Sequence, residues 1–239
     1  MSPLNAALIL TRPWQAGRDF ARELGDLCPR LQIVESPLLE IIPTRTVPDF
    51  TPYKAVIFTS ANGVRFCGTP VDLPAYCVGQ ATTQIAIEAG WHAEKVGETA
   101  SELVTYVVEQ GLSSPVLHIG GVHRRGEVAQ KLTKRGVPTD ICDVYDQKLC
   151  NLTQTAEILL NRELPAIVPL FSPRTARQFA RQKIGIAPLH FVAISEPVLA
   201  EVHKVAAKTR TVALRPDAVS MKTALLEVVS WVETGRAPQ

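Results

Sequence analysis

The stretch Ala55-Val56-Ile57-Phe58-Thr59-Ser60-Ala61-Asn62-Gly63-Val64 constrains the fold more than any other. Four apolar residues in succession, three of them β-branched or aromatic, suit a parallel strand covered on both faces. Ser60 then stands where a helix N-cap belongs, with a hydroxyl able to accept a first-turn N–H. The N–H groups left over favour a small anion at the strand's carboxyl end. The design recurs in Ala166-Ile167-Val168-Pro169-Leu170-Phe171-Ser172-Pro173-Arg174-Thr175-Ala176. Here Ser172 is the cap and Pro173 takes the first helical position, where a missing N–H costs nothing.

The rest of the chain alternates in the same way. Strands are expected at Ala6 to Leu10, Ala75 to Gly79, Trp91 to Val96, Val116 to Ile119, His190 to Ile194 and Thr211 to Leu214. Helices are expected from about Gln15 to Leu27, from Gln80 through Ala89, from Thr99 to Gln110, up to Lys134, over Pro197 to Ala207, and from the cap Asp217 to about Trp231. Thr99-x-x-Glu102 has the form of a capping box. Two extended stretches are unusually long: Leu31 to Ile42, broken by Pro37, and Thr139 to Leu149, which carries Tyr145. Proline excludes the first from the middle of a sheet. Ten strands alternating with helices predict an α/β protein with parallel sheets.

The pattern also repeats. Leu8-Ile9-Leu10 aligns with Leu117-His118-Ile119, Phe58-Thr59-Ser60 with Phe171 and Ser172, and Tyr76-Cys77-Val78 with Phe191-Val192-Ala193, at an offset that drifts slowly upward from 109 residues. Each half is the size of a flavodoxin-like sheet. If the two long stretches cross over, the chain makes two flavodoxin-like parallel-sheet domains from an internal duplication, joined by two extended linkers. The first domain is then residues 1–36 and 166–239, and the second, inserted, is 37–165.

Composition excludes several classes. The net charge of +2, from 25 basic and 23 acidic residues, does not describe a nucleic-acid binder. Five scattered cysteines with no CxxC pair indicate neither a disulfide framework nor a zinc site, and fit a reducing cytoplasm. The apolar run Ala6 to Leu10 is too short for a signal-peptide core or a membrane span. No Gly-x-Ser-x-Gly elbow, Walker loop or dinucleotide fingerprint follows any strand.

Taken together, Thr11-Arg12-Pro13, Ser36-Pro37-Leu38, Phe58 through Val64, Val78-Gly79-Gln80-Ala81-Thr82, Val144-Tyr145 and Phe171-Ser172-Pro173 resemble, in order and spacing, the uroporphyrinogen-III synthase family. That resemblance implies a monomeric two-domain enzyme with a cleft, acting on hydroxymethylbilane, a linear tetrapyrrole with eight carboxylates. Family members remove its terminal hydroxyl as water, invert the last pyrrole ring and close the macrocycle to uroporphyrinogen III, without a metal or organic cofactor. The resemblance makes Tyr145 the candidate acid and Thr59, Ser60, Asn62 and Thr82 cleft residues. It departs at Ser195-Glu196-Pro197-Val198, where many members carry Gly-Pro-Thr-Thr; of these four only Ser195 is kept as a candidate.

Each of these residues also has a plainer reading. Tyr145, between Asp143 and Asp146, suits a structural tyrosine with a half-buried ring. Ser60 and Ser172 are helix caps in either case, and Thr82 is a first-turn residue. An octa-anion still needs cations, and guanidinium suits carboxylate. Arg12, Arg65, Arg124, Arg125 and Arg174 all follow strand ends or open helices, with Arg12 and Arg174 favoured. His118, inside an apolar strand, reads as a satisfied core residue and His123 as a loop residue. The competing class is a non-catalytic two-domain cleft protein that binds a carboxylate-rich small molecule.

Overall fold

In a computed structural model that describes residues 6–112, 114–124 and 126–235, eleven strands alternate with nine helices among those residues. In chain order they are β1 (Ala7–Leu10), α1 (Trp14–Leu27), β2 (Gln32–Glu35), β3 (Leu39–Pro43), β4 (Ala55–Phe58), α2 (Ala61–Phe66) and β5 (Pro74–Val78). Next come α3 (Gln80–Glu88), β6 (His92–Gly97), α4 (Ala100–Glu109), β7 (Val116–Gly121), α5 (Val128–Lys134), β8 (Thr139–Leu149) and α6 (Gln154–Leu160). The chain ends with β9 (Ala166–Leu170), α7 (Pro173–Ala180), β10 (Leu189–Ala193), α8 (Glu196–Ala200), β11 (Thr209–Val212) and α9 (Ala218–Thr234).

Two compact units divide the chain, Met1–Glu40 with Lys148–Gln239, and Ile41–Gln147. The first holds a five-stranded sheet in the order β11-β10-β9-β1-β2, the second the order β3-β8-β7-β4-β5-β6. The pairings β1 with β2 and β9, β9 with β10, and β10 with β11 are parallel. So are those of β4 with β5 and β7, β5 with β6, and β7 with β8. Both changes of unit fall inside strands, β3 on the way out and β8 on the way back. Pro37 explains why the stretch Leu31 to Ile42 is two strands rather than one: β2 and β3 are each the outermost strand of their sheet, where a neighbouring proline removes no ladder bond.

The second division differs from the expected one at residue 165. Residues 148–165 belong to the first unit because α6 presents Ala156, Leu159 and Leu160 to its core, beside Leu38 and Leu152. Thr153 caps this helix through its hydroxyl to Ala156 N–H, and its own N–H donates to buried Ser36 Oγ at 2.9 Å. The helix expected over Pro197 to Ala207 is also shorter. It ends at Ala200, beyond which Val202 and His203 N–H groups reach carbonyls three residues back, so the chain continues as tight turns.

Apolar patterning accounts for the cores. In β1, β4, β7 and β9 every residue is buried, as expected of strands with helices on both faces. One core of the first unit packs Leu8, Phe20, Leu24, Met221 and Leu225; the other packs Val168, Leu170, Phe179 and Phe191. The second unit repeats this with Val56, Phe58 and Trp91 among one core's members and Ile57, Leu103 and Leu132 in the other. Pro169, inside β9, has no N–H to give. The registered β1–β9 ladder covers only Ala7↔Ala166 and Leu8↔Ile167, and Thr11 Oγ1 bonds the Pro169 carbonyl at 3.4 Å. No described helix is long and apolar enough to cross a membrane.

Candidate functional site

Parallel sheets collect strand-end residues along one edge, and the candidates of each unit gather at such an edge. In the second unit, Thr59, Ser60 and Asn62 leave β4, Thr82 follows β5, and Tyr145 lies opposite the last residue of β7. In the first unit, Arg12 leaves β1, Ser172 and Arg174 leave β9, and Ser195 leaves β10.

Tyr145 owes its position to an irregularity. The β7–β8 register shifts between Gly120 and Gly121, so that Gly120 faces Asp143 while Gly121 faces Tyr145 and Val144 is the extra residue. The tyrosine ring lies against Gly121, where any Cβ would overlap it. Phe66 is its aromatic neighbour, with centroids 6.3 Å apart. The residue is 6% exposed and belongs to the core, which is deeper than the half-buried strand tyrosine expected from the sequence. Val122 N–H donates to the Tyr145 carbonyl at 3.0 Å and completes the bulge.

Thr59 Oγ1 lies 3.1 Å from Nε2 of His118 on the neighbouring β7. His118 is 2% exposed, and among the described residues its Nδ1 has no hydrogen-bond partner. The sequence predicts a satisfied core residue here, and one of the two ring nitrogens is not satisfied. Burial first, and the Arg124 charge second, lower the His118 pKa to about 4, so the imidazole is neutral at physiological pH. Arg124 is itself held by the Gly121 carbonyl at 2.7 Å and by an ion pair with Asp143. Such a guanidinium is committed to the fold. Arg125 lies outside the described residues, and Arg65 bonds Asn62 Oδ1 at 3.2 Å on an exposed surface.

Ser60 caps α2 by accepting Asn62 N–H at 3.3 Å, which uses one of the donors an anion would need. With six residues, α2 carries only a small dipole. Thr82 is buried in the first turn of α3. That helix starts from Gly79, whose φ of +76° is the left-handed region open to glycine, and Thr83 Oγ1 donates to the Gly79 carbonyl at 3.0 Å.

In the first unit the Arg12 guanidinium stacks on the Phe171 ring, 4.3 Å from its centroid, and lies 5.7 Å from that of Phe20. Phe20 and Phe171 meet edge to face at 5.0 Å. Burial lowers the Arg12 pKa from the usual guanidinium value and Asp19 partly offsets this, yet the group stays charged. A planar cation braced by aromatic rings loses little freedom when it takes up a carboxylate. Ser172 accepts Thr175 N–H at 3.1 Å and shares a 2.8 Å hydroxyl contact with Thr175 Oγ1. Arg174 follows in the first turn of α7. Ser195 precedes α8 without a side-chain cap bond, next to exposed Glu196.

Each unit's candidate edge, taken by itself, thus adds residues that the sequence did not mark as site candidates: His118 behind Thr59 and Gly121 against Tyr145 in the second, and Phe171 beneath Arg12 in the first. Each carried a signal, namely a lone polar residue in a buried strand, paired glycines at a strand end, and an aromatic just past one. Two surface hollows lie elsewhere, between α5 and β8 (Thr133, Ile141) and between the end of α1 and α9 (Cys28, Val229). Among the described residues no three His, Cys, Asp or Glu side chains are grouped as a metal site requires.

A family model described as uroporphyrinogen-III synthase HemD matches residues 28–222. Among solved structures, the chain is similar to uroporphyrinogen-III synthetase from Helicobacter pylori, with a TM-score of 0.66 and 16% identity, covering 93% of this chain and 99% of that one. A mutant uroporphyrinogen III synthase from the extremely thermophilic bacterium Thermus thermophilus aligns over 97% of this chain and 100% of that one, at 12% identity and a TM-score of 0.48. No curated protein sequence matches.

Proposed function

The chain belongs to the uroporphyrinogen-III synthase family, and from that premise we propose that it is a carbon–oxygen lyase that dehydrates and cyclises hydroxymethylbilane to uroporphyrinogen III with inversion of the last ring. Family membership makes it an enzyme of heme biosynthesis and does not favour the non-catalytic alternative. We read the two sheets as copies of one duplicated unit. Counted from β1, the first runs 2-1-3-4-5 as β2-β1-β9-β10-β11, and β8-β7-β4-β5-β6 gives the same order in the second when β7 is counted first. On this reading β3 and β8 are the two linkers.

The observation that supports the reading most is the anion-binding and proton-donating chemistry gathered at the sheet edge of each unit. One offers Thr59, Ser60, Asn62, Thr82 and Tyr145, the other Arg12, Ser172, Arg174 and Ser195. Loss of hydroxide from a pyrrole carbinol is driven by the ring's own electrons, so the protein must supply a proton, a shape and carboxylate anchors. Tyr145 would give its phenolic proton to the departing hydroxyl. Braced Arg12, with Arg174, would take carboxylate arms, and Thr59 and Thr82 would donate to others. Holding the last ring reversed while the chain ends approach accounts for most of the selectivity, because the free substrate closes to the unreversed isomer. The enzyme is expected to act as a cytoplasmic monomer without a cofactor; its five cysteines, all free, suit a reducing compartment.

The test supplies freshly made hydroxymethylbilane and measures the ratio of type III to type I uroporphyrin after oxidation. Predominance of type III is the expected result. Type I alone, formed at the uncatalysed rate, would sink the proposal.

A further inference from the structure

His118 is a buried polar side chain for which the reaction outlined above has no use. Two facts define its setting: Nε2 lies 3.1 Å from Thr59 Oγ1, and Nδ1 is buried without a partner. A neutral imidazole carries one N–H and one bare nitrogen, and the choice between them is set by what each nitrogen meets. A buried N–H with no acceptor is rarer in proteins and more costly than an unfilled lone pair. The proton therefore belongs on Nε2, where Thr59 accepts it, and the bare lone pair on Nδ1. The neighbouring Arg124 cation disfavours a second proton and so keeps the ring neutral.

We propose that His118 is a positioning residue that, as the Nε2–H tautomer, occupies an acceptor lone pair of Thr59 and so leaves the Thr59 hydroxyl hydrogen to point at a substrate carboxylate. The opposite tautomer would do the reverse. Thr59 would spend its hydrogen on Nε2 and present only lone pairs to an octa-anionic substrate, which they repel. One buried proton thus decides whether the edge of β4 attracts or rejects a carboxylate. Gly120 fits this arrangement, because a Cβ there would press on the Arg124 side chain at 3.2 Å, beside His118 Nε2 at 3.8 Å. The proposal rests on the reading of Thr59 as a substrate contact.

Two measurements test it separately. Nitrogen-15 NMR of the histidine rings in the intact, substrate-free protein reports the tautomer without reference to function. A protonated Nε2 with a bare Nδ1 on His118 is expected, and a protonated Nδ1 overturns the proposal. Kinetics with hydroxymethylbilane then compare Thr59→Val, His118→Leu and His118→Gln, whose amide nitrogen can stand in for Nε2–H. Loss of one hydrogen bond to a charged group predicts a rise in KM of about tenfold for Thr59→Val and for His118→Leu, with kcat nearly constant. His118→Gln should recover KM to within about threefold of the parent. The double variant Thr59→Val with His118→Leu should be no worse than Thr59→Val alone, since His118 acts only through Thr59. An unchanged KM in Thr59→Val removes Thr59 from the binding site and the proposal with it. A raised KM in Thr59→Val beside a normal one in His118→Leu overturns the role of His118 alone.

Discussion

Gly121 has no room for a side chain, and the reason is Tyr145. A methyl group there would overlap the phenol ring, so Gly121→Ala must push the ring out of its bed. Overpacking of this kind costs about 1–3 kcal/mol, to be read as a lowered Tm, and activity should fall with it. Tyr145→Phe makes the contrasting case. It keeps the packing on Gly121 and Phe66 and removes only the hydroxyl, so Tm should hold while turnover drops by about 100-fold without vanishing. Unchanged turnover would remove Tyr145 from proton transfer. His118 supplies a pH prediction. The unfolded imidazole titrates near pH 6.5, whereas the folded one resists protonation down to about 4 because it is buried beside Arg124. Its contribution is therefore complete above the unfolded pKa and is lost as pH falls from there towards 4. Denaturant titrations should show that loss, and His118→Gln should flatten it over that window. At this scale the sequence was legible in part: chemistry-bearing residues stood out by type, but their partners did not. Nothing local in Leu117-His118-Ile119 says that the ring meets Thr59, since that contact depends on which strand lies beside β7.

Helix caps are the elements that sequence reads best, because both halves of the interaction lie within four residues. Ser60, Thr99, Ser172 and Asp217 all cap as expected. The box at Thr99 is varied in detail: the Glu102 carboxylate accepts the N–H of Glu98, one residue before the cap, at 2.7 Å. Removing a cap has a predictable cost. Ser172→Ala should lower stability by about 1 kcal/mol, and Thr175 loses its hydroxyl partner too. Asp217 adds a pH signature, because the N–H of Ser220 at 2.7 Å lowers its carboxyl pKa. That stabilisation is present above the ordinary carboxylate range and is lost as pH falls through the lowered value. Asp217→Asn, which still caps, should therefore weaken the acid dependence of melting, and an identical pH profile would argue against the bond. Elements governed by distant partners were harder to see. The bulge at Val144 arises from a ladder partner more than twenty residues away, and α6 gave little warning because its apolar residues join a core whose other members, Leu38 and Phe179 among them, come from distant parts of the chain.

Over the whole molecule, each sheet has its own pair of cores, and the two units are stabilised by separate sets of residues. Phe58 is fully buried in the second unit and packs on Trp91 at 5.2 Å. Phe58→Ala should cost about 3–5 kcal/mol. By hydrogen exchange, amides of residues 41–147 should lose protection while those of β1, β9 and β10 keep theirs. Equal loss in both would mean that the units unfold as one. The alternation of strand and helix predicted parallel α/β sheets because each unit repeats a short-range rule. The boundaries were less legible: Pro37 marked one crossing within a few residues, but β8 runs through the other without a break in its pattern.

The position of the inserted unit has a consequence for synthesis. Residues 41–147 leave the ribosome as one continuous piece, with every strand needed for β8-β7-β4-β5-β6 in hand. The opposite holds for β1, whose neighbour β9 begins at Ala166, so Ala7–Leu10 must wait for that later strand to be made. The nascent chain can thus complete residues 41–147 before β1 gains its β9 partner, against the usual order in which earlier segments mature first. During that delay Leu8, Ile9, Leu10 and the apolar face of α1 remain uncovered, and they are where a holding chaperone would bind.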